Sequence, residues 1–450
     1  MENKTINYLF LILFHAALGG IVFLAPVVSK VYAIAIFLVS LYFIIKTRNR
    51  NNEVLYAAAY VVGSEVFLRM TGGNPNHEFS KYSLMIFVTF GMFYSGFSKN
   101  AIPFWIFLLL LVPGIIIGTQ TLSLEAENIR KSILFNVSGP ISLAFAALYC
   151  YNRKISIKEL NNILLLMGLP IISCTIYLIL FTPSNFTENL NSTGSNFEAS
   201  GGFGPNQVAT CLGLGFFIFF TRVVVASEKK IFLFINLALT LLIGYRGLIT
   251  FSRGGMITGI VMIVLFLVVV YAYTKKVSKL KLFYIFSFLI VCTALTWLYT
   301  ENQTGGLLGK RYANQDAYGR VKPTQFSGRE QLAKGEIEMF LNNPFFGVGA
   351  AKGTELRSAD VGFLTASHDE ITRMLAEHGS LGILGLLILF ATPIFLYLDN
   401  KQHLYVFCFL AFWLLTINHA AMRTASPSFV YALSLLKVKF DEEEDTVHRK

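Results

Sequence analysis

The chain has 450 residues, 54% of them hydrophobic and only 14% charged, with a formal net charge of +11 and a mean hydropathy of +0.59. A soluble chain carries roughly a quarter of its residues as charged side chains, so a water-soluble domain is excluded. The positive balance is expected from basic loops facing the cytoplasm rather than from a nucleic-acid partner.

Apolar runs long enough to cross a hydrocarbon core as helices recur along the chain. The short alternating segments of a membrane β-barrel do not. Helices are predicted at about 6–26, 31–46, 54–70, 82–98, 101–118, 132–150, 160–181, 204–222, 231–250, 255–274, 282–300, 380–397, 403–419 and 425–438. The fold class is therefore all-α: a polytopic integral membrane protein with about 12–14 transmembrane helices and one long extracytoplasmic loop containing short helices. The apolar stretch from Ile6 leads at once into another and has no small-residue cleavage site, so it is expected to remain as the first helix. The pair at 403–438 also fits a re-entrant hairpin. Cys150, Cys174, Cys211, Cys292 and Cys408 lie in or beside apolar segments, which suits neither a disulfide framework nor a zinc site.

Basic clusters set the orientation. Lys46, Arg48 and Arg50 follow the second helix, and Arg153, Lys154 and Lys158 follow the sixth. Arg222, Lys229 and Lys230 follow the eighth, and Lys275, Lys276, Lys279 and Lys281 follow the tenth. All fall on one side, which is predicted to be cytoplasmic, with both termini inside. Residues 1–300 thus hold transmembrane helices one to eleven, 301–379 the extracytoplasmic loop, 380–438 the C-terminal helices and 439–450 a cytoplasmic tail with the acidic run Asp441 to Asp445.

Three polar clusters are predicted on the outer side. Ser252-Arg253-Gly254-Gly255 opens the tenth helix; a serine N-cap, an arginine and open backbone N–H groups at a positive helix end suit an anion such as phosphate. Arg246 lies near the outer end of the ninth helix, and both arginines could instead snorkel to lipid headgroups. Ser327-Gly328-Arg329-Glu330 forms a capping box that opens an amphipathic helix with apolar Ala333, Ile337, Phe340 and Leu341, ending at Asn342-Asn343-Pro344. Arg329 opposes the dipole of that first turn, which hints at a use, although an ordinary solvated arginine fits too. Ser367-His368-Asp369-Glu370 forms a second capping box before the helix entered through Glu377-His378-Gly379. A histidine there can act as a general base or bond a phosphate or sugar oxygen. Asp369, Glu370 and Glu377 are expected as caps and solvated charges, and no cluster has metal-ligand spacing. Within the third helix, Glu65 and Arg69 stand four apart in the favourable order for an ion pair and are expected to be a structural lock.

Taken in order, Ser252-Arg253-Gly254-Gly255, Gly328-Arg329, Asn343 to Gly349 and His368 through Glu377-His378-Gly379-Ser380-Leu381-Gly382 resemble the O-antigen ligase/polymerase superfamily of bacterial membrane glycosyltransferases. Gly202-Phe203-Gly204-Pro205-Asn206-Gln207 is similar to a Gly-Phe-x-x-Pro-Asn stretch of that family, and the resemblance covers about 200–385. It implies transfer of a glycan from undecaprenyl pyrophosphate to a lipid A-core, protein or other glycan acceptor on the outer face of the cytoplasmic membrane, without a metal or cofactor. A polymerase extending lipid-linked repeats is the alternative. Residue by residue, the resemblance gives Arg253 and Arg329 the pyrophosphate leaving group, with Arg246, Ser252 and Gly254 beside them, and gives His368 the acceptor hydroxyl. Many members have Asn where Asp369 follows the histidine, which leaves that neighbour's role open. A polysaccharide transporter would show repeated halves and broken helices, and neither is visible.

Overall fold

An apolar run in lipid satisfies its backbone groups by closing them into a helix, and this chain does so repeatedly. The computed structural model describes residues 2–123, 126–182, 190, 192–227, 229–273, 276–322, 329–361 and 367–440. Eleven helices come first: α1 Glu2–Leu24, α2 Val27–Thr47, α3 Glu53–Met70, α4 Phe79–Ser95, α5 Ile102–Thr121, α6 Ala126–Cys150, α7 Ile157–Phe181, α8 Pro205–Val225, α9 Lys230–Ile249, α10 Arg253–Tyr273 and α11 Lys276–Gln303. Three short ones follow, α12 Leu307–Tyr312, α13 Arg329–Asn342 and α14 Lys352–Val361, and then α15 Glu370–Asp399, α16 Val406–His419 and α17 Ser426–Leu433. Among the described residues, nine helices are long and apolar enough to cross a membrane: α1, α2, α5 to α10 and α15. The protein is an all-α polytopic membrane protein.

The predicted pair at 403–438 forms two short buried helices, α16 and α17. The last is shorter than predicted because the chain leaves it for β2 Lys437–Lys439, which pairs in parallel with β1 Lys154–Ser156. The chain divides into two compact units, Met1–Phe43 with Leu55–Phe79 and Glu159–Pro323, and Ile44–Val54 with Ser80–Lys158 and Thr324–Lys450.

In the first unit α8 is buried along most of its length, with α9 and α10 packed on it. Lipid offers no hydrophobic drive between helices, so small residues that let backbones approach do the work. A Cβ at Gly255 would stand 2.2 Å from the Ala209 carbonyl carbon, and one at Gly259 would stand 2.6 Å from the Gly213 oxygen. Ala209 and Gly213 on α8 thus meet Gly255 and Gly259 on α10 with matching four-residue steps, and the two helices run parallel with their N-termini side by side. Gly255→Leu is expected to cost about 1–3 kcal/mol by overpacking, measured as a lower Tm in detergent; an unchanged Tm would mean that α8 and α10 do not touch there. The Glu65–Arg69 pair of α3 forms as expected, Nη2 to Oε1 at 2.7 Å with both side chains buried, and Glu78 lies 3.8 Å from the same guanidinium.

In the second unit α15 is two helices joined at Gly379, whose φ of 59° and ψ of −140° break the ladder. The break frees carbonyls one turn earlier, and the Phe346-Gly347-Val348-Gly349 turn takes them up. Val348 N donates to Ala376 O at 2.8 Å, Gly349 N to Glu377 O at 3.2 Å, and Ser380 N to Pro344 O at 2.7 Å. Gly347, at φ 72°, lies where a Cβ would be 2.4 Å from Glu377 backbone, so this apolar turn is fitted to the kink.

The amphipathic face predicted for α13 is turned the other way. Ile337 and Leu341 are exposed, whereas Glu336 is buried. The reason is an ion pair: Arg357 Nη1 on α14 reaches Glu336 Oε1 at 2.6 Å, and Thr372 on α15 donates to its other oxygen. A buried carboxylate without partners would cost several kcal/mol, and these partners let Glu336 turn inward while Lys334 and Glu338 stay exposed.

Candidate functional site

In the first unit the start of α10 lies against the start of α8. Ser252 stands in the N-cap position of α10, but its Oγ donates to Asn206 Oδ1 of α8 at 2.8 Å. Pro205 begins α8 after Gly204, where a missing N–H costs nothing. Two parallel helix N-termini side by side add their positive ends. Gly254 is half-buried in the first turn of α10, and Gly255 is taken up by the packing against α8.

Arg253 is half-buried and its Nη1 donates to Arg311 O at 3.3 Å. Arg311 in turn donates through Nε to Phe251 O at 2.9 Å and through Nη2 to Ser195 Oγ at 3.3 Å. Burial, then the guanidinium groups of Arg311 and Arg253, hold the Lys322 ammonium below the usual lysine value. Burial pushes the Tyr312 phenol up to about 12 against the pull of the same two arginines. Arg253, Arg311 and Lys322 therefore form one cationic cluster beside two helix N-termini, an arrangement suited to an oxyanion. Sequence reading missed Arg311 and Lys322; their only signal was the Gly-Lys-Arg-Tyr run of 309–312 within the long loop.

Arg246 does not snorkel. It is buried, and its Nη2 donates to Leu178 O at 3.1 Å, Thr182 Oγ1 at 2.7 Å and Ala199 O at 3.2 Å. It ties the end of α7 to the turn before α8, a fastening role.

In the second unit Arg329 is the first residue of α13. Its side chain, and the residues Ser327 and Gly328, lie outside the described residues. His368 sits half-buried on the turn before α15. Its carbonyl accepts from Ala421 N at 3.1 Å, and Arg423 Nη2 donates to Ser367 O at 2.8 Å. The turn is thereby pinned to the segment between α16 and α17. The cap of α15 is Asp369 rather than Ser367: Asp369 Oδ1 accepts from Ile371 N at 2.8 Å, while Ser367 Oγ accepts from Asp369 N at 3.2 Å.

Glu370 and Glu377 were expected as solvated charges, and both are buried. Arg373 lies between them, with Nε to Glu370 Oε2 at 3.2 Å and Nη1 to Glu377 Oε2 at 3.0 Å. Asn136 Nδ2 donates to the remaining oxygen of Glu377 at 3.1 Å, and Arg373 donates to Asn136 Oδ1. The i, i+3 and i, i+4 spacing of Glu370, Arg373 and Glu377 was the available signal.

Burial pushes the Asp369 carboxyl up to about 6; Glu336 and Glu370 add to the rise while the Ile371 N–H opposes it. Below 3.8 the folded and unfolded chains both hold this proton, and between there and about 6 the unfolded chain releases it first. Stability contributed by this group is therefore present at acid pH, falls across that window as pH rises, and is constant above it. Asp369→Asn keeps a competent cap and is expected to flatten that slope in Tm against pH. A slope unchanged in the variant would place the titration elsewhere.

Arg246, Ser252, Gly254 and Arg253 belong to the first unit, and Arg329 and His368 to the second. No curated protein matches the chain. Residues 237–390, which contain all six of these candidates, match the family model described as O-antigen ligase. The match takes in both the basic start of α10 and the pinned His368 turn, and it supports membership of the O-antigen ligase superfamily.

Proposed function

We propose that the protein is a ligase-type glycosyltransferase that moves a glycan from undecaprenyl pyrophosphate to a lipid A-core, protein or other glycan acceptor, outside the bacterial cytoplasmic membrane. The observation that carries this reading is the family match over 237–390, which contains every candidate residue. The basic clusters at the ends of alternate helices support cytoplasmic termini and a site on the opposite, extracytoplasmic face.

In this reading the acceptor hydroxyl oxygen attacks the anomeric carbon of the donor sugar. The new C–O bond forms as the bond from that carbon to the pyrophosphate oxygen breaks, and the pyrophosphate leaves with the electron pair. Arg253 and Arg329 meet the charge that develops there, with Ser252, Gly254 and the α10 N-terminus beside Arg253. The resemblance also assigns Arg246 to the pyrophosphate, although its side chain fastens the end of α7 to the turn before α8. His368 orients the hydroxyl and takes its proton. The resemblance implies a metal-independent transfer, in which guanidinium groups and helix-end N–H groups serve as the electrophilic elements.

The test is transfer from the producer's own pyrophosphate-linked glycan by purified, folded protein carrying Arg253→Ala, Arg329→Ala or His368→Ala. Weaker donor binding in the arginine variants, by roughly ten- to a hundredfold for a lost charge-assisted bond, is expected. Wild-type donor binding and turnover in both arginine variants would overturn the assignment. In cells lacking the protein, accumulation of long lipid-linked chains supports the ligase; accumulation of single unpolymerised repeats would make it a polymerase.

A further inference from the structure

The apolar residues predicted for one face of α13 do share a face. At roughly 100° per residue, Ala333, Ile337, Phe340 and Leu341 occupy one arc of about 100°. It runs between the buried Glu336 and an exposed side that carries Gln331, Lys334 and Glu338. The arc is left bare by the protein: Ile337 is 42% exposed and Leu341 67%. The turn after the helix adds Phe345 at 74% and Phe346 at 53%. Large apolar side chains left bare together mark an interaction surface.

The contacts around this surface, all within the second unit, give its surroundings. Ser380, the first residue after the kink in α15, donates to Pro344 O through its N–H at 2.7 Å and its hydroxyl at 2.8 Å. Phe345 therefore hangs where the membrane-spanning half of α15 begins, and that half turns Leu384 and Leu387 outward. Ala350 N donates to Gly114 O at 2.8 Å, and a Cβ at Gly349 would stand 2.4 Å from Gly118 N. Gly114 belongs to the spanning helix α5, two turns before its end at Thr121, which is about 10 Å along the axis. The turn from Phe345 to Ala350 thus reaches down beside the apolar part of α5, where Val112 and Ile116 also face outward. Glu336, held by Arg357 and Thr372, fixes the rotation of α13 and so leaves its apolar arc outside.

We propose that α13 and the Phe345-Phe346 turn are an interfacial element, with Ile337, Leu341, Phe345 and Phe346 seated among the acyl chains of the outer leaflet. Lipid is the occupant because the surface continues the lipid-facing sides of α5 and α15 at the same depth. A helix with an apolar arc on one side and charges on the other lies in the plane of the interface. Lys334, beside the arc, can lay its stem along it and keep the ammonium among the headgroups. The long loop that reads as aqueous in the sequence is in this part a membrane element. An α13 in that plane keeps its first residue, Arg329, at the level of lipid phosphates. The inference does not depend on the glycosyltransferase reading.

The test uses the full chain in nanodiscs of phosphatidylethanolamine and phosphatidylglycerol, with Cys292, the one cysteine that is not buried, replaced by serine. A polarity-sensitive fluorophore is attached at Leu341→Cys, Phe345→Cys or Glu338→Cys, each in protein of parent Tm. The labels at 341 and 345 are expected to emit to the blue of the label at 338. They are also expected to be quenched by lipid with a nitroxide on its acyl chain and to escape aqueous iodide, which quenches the label at 338. Should the Phe345 variant fail to fold, Ile337→Cys reads the same arc. Iodide quenching at 341 and 345 equal to that at 338 overturns the proposal. So does shielding from both quenchers, which would give the surface to a protein; energy transfer between labelled copies would identify that protein as a second copy of this chain. No donor or acceptor is present, so either result leaves the assignment of the transfer residues untouched.

Discussion

Arg373→Leu is expected to cost roughly 3–5 kcal/mol of stability, the range for removing one partner from a buried ion network. Arg373 is the shared cation of Glu370 and Glu377, and it also donates to Asn136. Its removal leaves two buried carboxylates two turns apart on α15, with Asn136 Nδ2 still donating to one of them. Each would have to take a proton or draw in water. Thermal unfolding in detergent reads the loss directly. The triple variant in which Glu370 and Glu377 also become Gln is expected to recover much of it, since no charge of that network then remains buried. A single Arg373→Leu protein with the parent Tm would show that the network carries no net stability, which buried ion pairs sometimes do not.

The second large effect belongs to His368. If it takes the acceptor proton, His368→Ala is expected to lower the transfer rate by roughly 10²–10⁴-fold, the usual contribution of a positioned general base. Donor binding is expected to stay near the parent value, because the pyrophosphate is assigned to the arginines. The turn is held through His368 O to Ala421 N and Ser367 O to Arg423, and truncating the ring leaves these two bonds in place. That separates a chemical loss from a folding loss. A rate within a few-fold of the parent, in protein of unchanged Tm, would remove His368 from the proton-transfer role.

The two effects meet on one element. Asp369 caps α15 beside His368, and Glu370 and Arg373 occupy the first turn of the same helix. Charges that sequence reading assigned to solvent thus fix where the histidine turn leaves the helix. Such positioning through buried, hydrogen-bonded charge makes a site rigid at a cost in stability elsewhere.

Much of this protein was legible in its residues. Hydrophobic run length alone determined the class, because a backbone in lipid has few ways to close its hydrogen bonds. The Glu65–Arg69 pair followed from helical spacing, and the end of α13 from Asn343-Pro344. The motif order from Ser252 to Gly382 indicated the family before any geometry. Tertiary structure decided the rest. Whether Ile337 or Glu336 of α13 turned inward depended on Arg357, which lies in another helix and out of reach of any local periodicity. The glycines after Arg253 looked like room for a ligand, yet Gly255 is spent on the approach of α10 to α8, a partner more than forty residues away. Arg311 and Lys322 joined Arg253 only through loop folding. Local pattern sets which elements form, since that is a contest among a residue's near neighbours; which charges face each other is set by long-range packing, and only the folded chain resolves it.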